Sequence, residues 1–151
     1  MGHVATIRSA DTAAVLGVIA EHFEAIAAGD AQRAVAVFAD DLIAYELQPP
    51  LAFDAAEGRD PAGLEEWFAT WRSLPRIALR QPRVEIAGDL AVVYGLANMR
   101  GGKVDGAEID LWYRLTFVLK QDGATWKIAH VHTSVPFRMD GSEKAALDLK
   151  P

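Results

Sequence analysis

Apolar residues fall first into helical and then into strand periodicity along this chain. Val15, Leu16, Ile19, Phe23 and Ile26 recur three or four residues apart, which predicts a helix with Asp11 as its cap and Gly29 as its end. Asp30 then caps a second helix carrying Ala34, Val35 and Phe38. Leu42 to Leu47 reads as a short strand closed by Pro49-Pro50. Asp60-Pro61 opens a third helix, whose Leu64, Trp67, Phe68 and Trp71 make one apolar face. After Pro75 the period shortens. Val84–Ala87, Leu90–Arg100, Glu108–Lys120 and Thr125–Val135 read as strands, with Gly88-Asp89, Gly101-Gly102 and Asp122-Gly123 as turns. Helices followed by a long antiparallel meander imply an α+β domain in which a curved sheet, covered by helices on one face, encloses a pocket.

Length and composition narrow the classes. The 151 residues suit a single domain, 1–151, with a core of about 11–136 and a C-terminal tail of 137–151. There is no cysteine, which excludes disulfide scaffolds, thiol nucleophiles and cysteine-based zinc sites. A net charge of −6 argues against a nucleic-acid partner, which wants a basic face. No apolar run approaches a membrane span. The expected setting is cytoplasmic. The opening Met1-Gly2-His3-Val4-Ala5-Thr6 fits the loose myristoylation pattern but has no polybasic companion.

Several segments resemble a known family. They are Ala28-Gly29-Asp30 followed by Val37-Phe38-Ala39-Asp40-Asp41; Glu57-Gly58-Arg59-Asp60; Trp112-x-Arg114-x-Thr116; and Trp126-x-Ile128-x-His130-x-His132-x-Ser134-x-Pro136. Together they resemble the nuclear transport factor 2-like superfamily, in its SnoaL-like and ketosteroid-isomerase-like branch. The last run is also similar to the association domain of calcium/calmodulin-dependent kinase. The resemblance implies a cone-shaped (cystatin-like) α+β fold and a homodimer. It assigns no cofactor, and relatives with this pattern are usually metal-free. It does not fix the reaction, because this fold carries isomerases, cyclases, hydratases and silent binding modules.

The resemblance places Glu46 where a ketosteroid isomerase keeps its general-base carboxylate. A carboxylate at an apolar mouth has a raised pKa, which suits proton transfer near neutral pH. It places His22 where such an enzyme has a tyrosine that donates a hydrogen bond to the oxyanion. The third member, a protonated acid on the sheet, has no counterpart; Thr116 and Phe117 occupy that region, which tells against steroid isomerisation itself.

Strand alternation puts Trp112, Arg114 and Thr116 on one face, and Tyr113, Leu115, Phe117 and Leu119 on the other. In the last strand Trp126, Ile128, His130, His132 and Ser134 share a face. Arg114, Thr116, His130, His132 and Ser134 are thus expected as one polar network, with Arg114 buried in it. On the concave side it would line the pocket. On the convex side, which the apolar set opposite favours, it would lie at a surface that two chains share, with Trp112 and Trp126. Trp67 and Trp71 are expected in the pocket wall, with Tyr113 and Phe117 on the helix-covered side. His130-x-His132 with Glu46 would make a two-histidine, one-carboxylate metal set. The leading expectation is acid–base chemistry on a small apolar or carbonyl-containing molecule, of the isomerase, cyclase or dehydratase kind. The alternative is a non-catalytic binding or association module.

Overall fold

A computed structural model describes the backbone from Gly2 to Pro151 and the side chains from Ser9 onward. The opening residues of the myristoylation pattern therefore fall largely outside what is described. Helix α1 spans Gly2–Ala28. Asp11 is thus an interior residue, not a cap; no proline or glycine between His3 and Ala10 stops the helix from extending toward the N-terminus. Gly29 ends α1 in the left-handed conformation, at φ 69°. Its N–H donates to Ile26 O and that of Asp30 to Ala25 O, at 3.0 and 2.9 Å, which satisfies two carbonyls of the last turn. Asp30 then caps α2 (Ala31–Val35).

Phe38 does not continue α2 but begins β1 (Phe38–Tyr45). Asp54 and Glu57 form a capping box on a short α3 (Ala55–Gly58), which sequence periodicity does not reveal in so few residues. Asp60 caps α4 (Pro61–Phe68) as expected. Trp71, expected on that helix, instead opens β2 (Trp71–Ala87). This 17-residue strand starts far earlier than Val84, and arginines and prolines mask its alternation.

Strands β3 (Leu90–Lys103), β4 (Glu108–Asp122) and β5 (Thr125–Ser134) complete a sheet ordered β1-β5-β4-β3-β2. The last four strands form an antiparallel meander, and β1 joins β5 in parallel. Gly101 and Gly102 lie within β3, not in a turn. A Cβ at Gly101 would stand 2.8 Å from the Trp71 ring and 2.9 Å from Ser73 O, so glycine there permits close packing.

The helices cover one face of the sheet. Val15 and Ile19 of α1 pack with Val93, Ala97, Tyr113, Leu115, Phe117, Leu119, Ile128 and Val131 in one core. One irregularity changes which side chains point inward. Val118 pairs with His130, but Leu119 pairs with Ile128, so Ala129 is an extra residue in β5. Trp126 and Ile128 are thereby turned into the core, at 3% and 0% exposure. His130, His132 and Ser134 keep to the outer face. The expectation that all five share a face fails at this bulge, and Trp126 is not part of an outer surface.

Candidate functional site

Between the inner face of the sheet and the helices lies a cavity of about 600 Å³. Glu46 reaches it from the end of β1, and Ala44 and Phe53 exchange backbone hydrogen bonds that fold the intervening loop over the mouth. His22 enters from α1, Tyr113 and Phe117 from β4, Thr133 from β5 and Trp67 from α4. Trp71 is not in the wall. It is buried beside Trp67, 5.4 Å between ring centroids, with the Lys103 ammonium 3.8 Å from its own ring centroid.

Among the described residues the carboxyl of Glu46 has one hydrogen bond, from the Thr133 hydroxyl at 3.3 Å. No cation forms an ion pair with it among the described residues. Burial drives its pKa above the ordinary carboxyl value, and the Thr133 bond only partly opposes this.

His22 Nδ1 lies 2.8 Å from Ala34 O. A carbonyl oxygen can only accept, so Nδ1 carries the proton. Burial disfavours the imidazolium and lowers the pKa of His22. The neutral ring therefore has a lone pair at Nε2. It can accept a proton but cannot donate to an oxyanion, and this reverses the role the family resemblance gave it.

The remaining donor is Tyr113. Among the described residues, the buried side-chain polar atoms left without a partner are Trp71 Nε1 and Trp126 Nε1. Tyr113 and His22 both line the cavity, and among the described residues neither Tyr113 Oη nor His22 Nε2 has a hydrogen-bond partner. Burial, reinforced by the negative charge of Glu46, pushes the Tyr113 pKa up and keeps its O–H protonated.

These shifts have opposite consequences for stability. Below the ordinary histidine value of 6.5 the unfolded chain takes up a proton that native His22 refuses. Stability therefore falls as pH drops from there toward the lower native value. Above the ordinary carboxyl value of 4.5 native Glu46 holds a proton that the unfolded chain has lost, so its contribution falls as pH rises through the native value. Urea titrations between about pH 4 and pH 8 check both. His22→Gln should flatten the acid-side loss, and Glu46→Gln the opposing slope.

The polar set of the outer face is adjacent but not a network. Arg114 pairs in register with Ser134, and Thr116 with His132. Arg114 is exposed, however, and no hydrogen bond joins it to the others among the described residues. His130 donates from Nδ1 to Ile43 O at 2.6 Å. Tyr45 packs on both imidazoles, with centroids 4.8 and 5.5 Å away. Burial of Arg114 is thus corrected for the single chain, in which its side chain is exposed and has no protein partner among the described residues. Arg114→Met should change the stability of the single chain by no more than about 0.5 kcal/mol in urea denaturation, measured at a dilution that keeps it monomeric. Glu46 opens on the cavity, while His130 and His132 stand on the opposite face of the sheet, so these three cannot close on one metal. Sequence reasoning passed over Thr133, Phe53, Glu57 and Asp60 as lining residues. Alternation with Val131 could have found Thr133; the others depend on how the mouth loop folds back.

A family model, the SnoaL-like domain, matches residues 15–138. The chain belongs to the SnoaL-like family. Among solved structures it is similar to an NTF2-like protein of unknown function from Pseudomonas putida KT2440. That match has 27% identity and a TM-score of 0.81, over 95% of this chain and 98% of the other. It is also similar to a protein proposed to be a dehydratase of the NTF2-like family from Streptomyces avermitilis, at 17% identity and TM-score 0.72, over 83% and 96%. A hexachlorocyclohexane dehydrochlorinase (LinA, type 2) matches at 16% identity and TM-score 0.71, over 83% and 85%. These last two likenesses concern the fold. No curated protein matches the chain.

Proposed function

We propose that this SnoaL-like protein is a small-molecule acid–base enzyme of the isomerase, cyclase or dehydratase kind, with Glu46 as the base. One observation carries the reading. A carboxyl without a cationic partner shares an apolar cavity with the lone pair of His22 and the O–H of Tyr113. Tyr113 would donate to a carbonyl oxygen of the ligand. Glu46 would take the proton from the adjacent carbon, and His22 Nε2 would accept a second proton where the reaction releases one. A pure binding module would more naturally neutralise Glu46 with an arginine. Arg59, between the lining residues Gly58 and Asp60 in sequence, is instead paired with Asp40 at 2.8 Å. The dehydratase-like and dehydrochlorinase relatives are consistent with proton abstraction from carbon, although their likeness is one of fold.

The test is hydrogen exchange at carbon. Cyclohexanone and 1-tetralone are incubated with the protein in D₂O, and the α-proton signals are followed by NMR. Loss faster than in buffer, abolished by Glu46→Gln, supports the reading. No acceleration for either ketone would leave the binding module in its place.

Two further expectations belong to the same proposal. One is a cytoplasmic setting; among the described residues no helix is long and apolar enough to cross a membrane. The other is a homodimer through the outer sheet face. Ile43, Tyr45 and Leu96 are exposed there, at 42%, 40% and 39%, beside half-buried Trp112. Sedimentation should give a mass near twice 16.4 kDa at micromolar concentration, and Leu96→Glu should shift it toward the monomer. A native chain that sediments as a monomer would remove this part.

A further inference from the structure

The cavity is one-sided in charge. Glu46, Glu57 and Asp60 line it, the last two with one carboxylate oxygen each held in a helix cap, and among the described residues the lining contains no lysine or arginine. The one basic side chain among its described lining residues, His22, has a lone pair at Nε2, because its ring proton is spent on Ala34 O. Cations nearby in the fold are engaged elsewhere: Arg59 with Asp40, and Lys103 with Thr70 Oγ1 and the Trp71 ring. Arg114, His130 and His132, which would have recognised an anion had they been concave, stand on the other side of the sheet.

A carboxylate or phosphate entering this space would lose its water against apolar and aromatic walls, among them Phe38, Phe53, Trp67 and Phe117. It would find neutral donors, the Tyr113 hydroxyl and the Gln48 amide at the mouth, and among the described residues no counter-charge. An anion moved out of water without a partner is heavily penalised, and the carboxylates at the mouth add repulsion on the way in. An alcohol or ketone meets neither cost: its oxygen accepts from Tyr113, and a hydroxyl proton can go to Glu46 or His22. A protonated amine is favoured further by the acidic lining and the aromatic faces.

We infer that the cavity accepts ligands carrying no negative charge, apolar bodies bearing an alcohol, ketone or amine, and rejects those that carry a carboxylate or phosphate into it. This deepens the function proposed above and rests on the same cavity being the site.

The experiment uses three probes of one shape: 1-adamantanemethanol, 1-adamantanemethylamine and 1-adamantanecarboxylate. Binding to the native protein is measured by isothermal titration calorimetry at pH 7.5. The alcohol and the amine should bind, with the amine at least as tight, and the carboxylate at least about tenfold weaker than the alcohol. Gln48 lines the mouth and is exposed, so a substitution there should leave the fold intact. Gln48→Arg should narrow the gap by raising carboxylate affinity more than that of the alcohol. Glu46→Gln should narrow the same gap from inside. Carboxylate binding as tight as alcohol binding in the native chain overturns the inference. So does a gap that neither variant moves. The probes undergo no reaction, so an inactive protein can still show this order of affinities, and an active one can fail to show it.

Discussion

Replacing Glu46 by glutamine is expected to lower turnover by about 10²-fold or more while ligand affinity stays within a few fold. The substitution preserves shape, and the amide can still accept from the Thr133 hydroxyl, which reaches Glu46 Oε2 at 3.3 Å. Only the capacity to take a proton is removed. That capacity is strengthened by the site: burial raises the pKa of Glu46 above the ordinary carboxyl value, which makes it a stronger base, and among the described residues no cation pairs with it to pull it back. His22 Nε2 remains in the variant as an acceptor. A residual rate that depends on His22 is therefore expected, and the double variant Glu46→Gln/His22→Gln should lose more than either alone. Steady-state kinetics on a ketone that exchanges its α-proton gives the split between kcat and KM. A fall in affinity with kcat preserved would make Glu46 a ligand-orienting group and not the base.

Some of this site was legible before any coordinates. Glu46 stood out because a charged residue among Leu42, Ala44 and Leu47 needs a partner or a task, and the structure leaves it without a cationic partner. Tyr113 and Phe117 fell on the inner face because strict alternation holds throughout β4. The same logic failed one strand away. One extra residue, Ala129, turns Trp126 and Ile128 inward while His130 and His132 stay outside, and nothing in the composition of Lys127–Ala129 announces a bulge. Trp71 failed for another reason. Leu64, Trp67, Phe68 and Trp71 satisfy helical spacing, but apolar spacing cannot say where a helix ends, and the chain leaves α4 after Phe68 to begin the edge strand. The donor and acceptor roles of His22 and Tyr113 were out of reach altogether. That of His22 depends on Ala34 O, a backbone atom brought beside α1 by the packing of α2.

Phe117 carries the largest expected effect on stability, and it ties the core to the site. It is 1% exposed, and its ring lies 6.1 Å from that of Phe23 and edge-on to His22 at 6.4 Å. Phe117→Ala should destabilise the fold by about 3 kcal/mol, toward the lower end of the range for core phenylalanines. The transfer of the ring out of water is lost in full. The added void, however, merges with an existing cavity instead of being sealed inside close-packed walls. Urea unfolding should show a lower midpoint at an unchanged m-value. The same substitution removes a wall that His22 packs against and admits water beside it. The depressed pKa of His22 should then move back toward 6.5, because its first cause is desolvation. Proton NMR of the His22 ring reads that shift directly. A loss of less than about 1 kcal/mol with the His22 titration unmoved would mean that Phe117 supports neither the core nor the cavity wall.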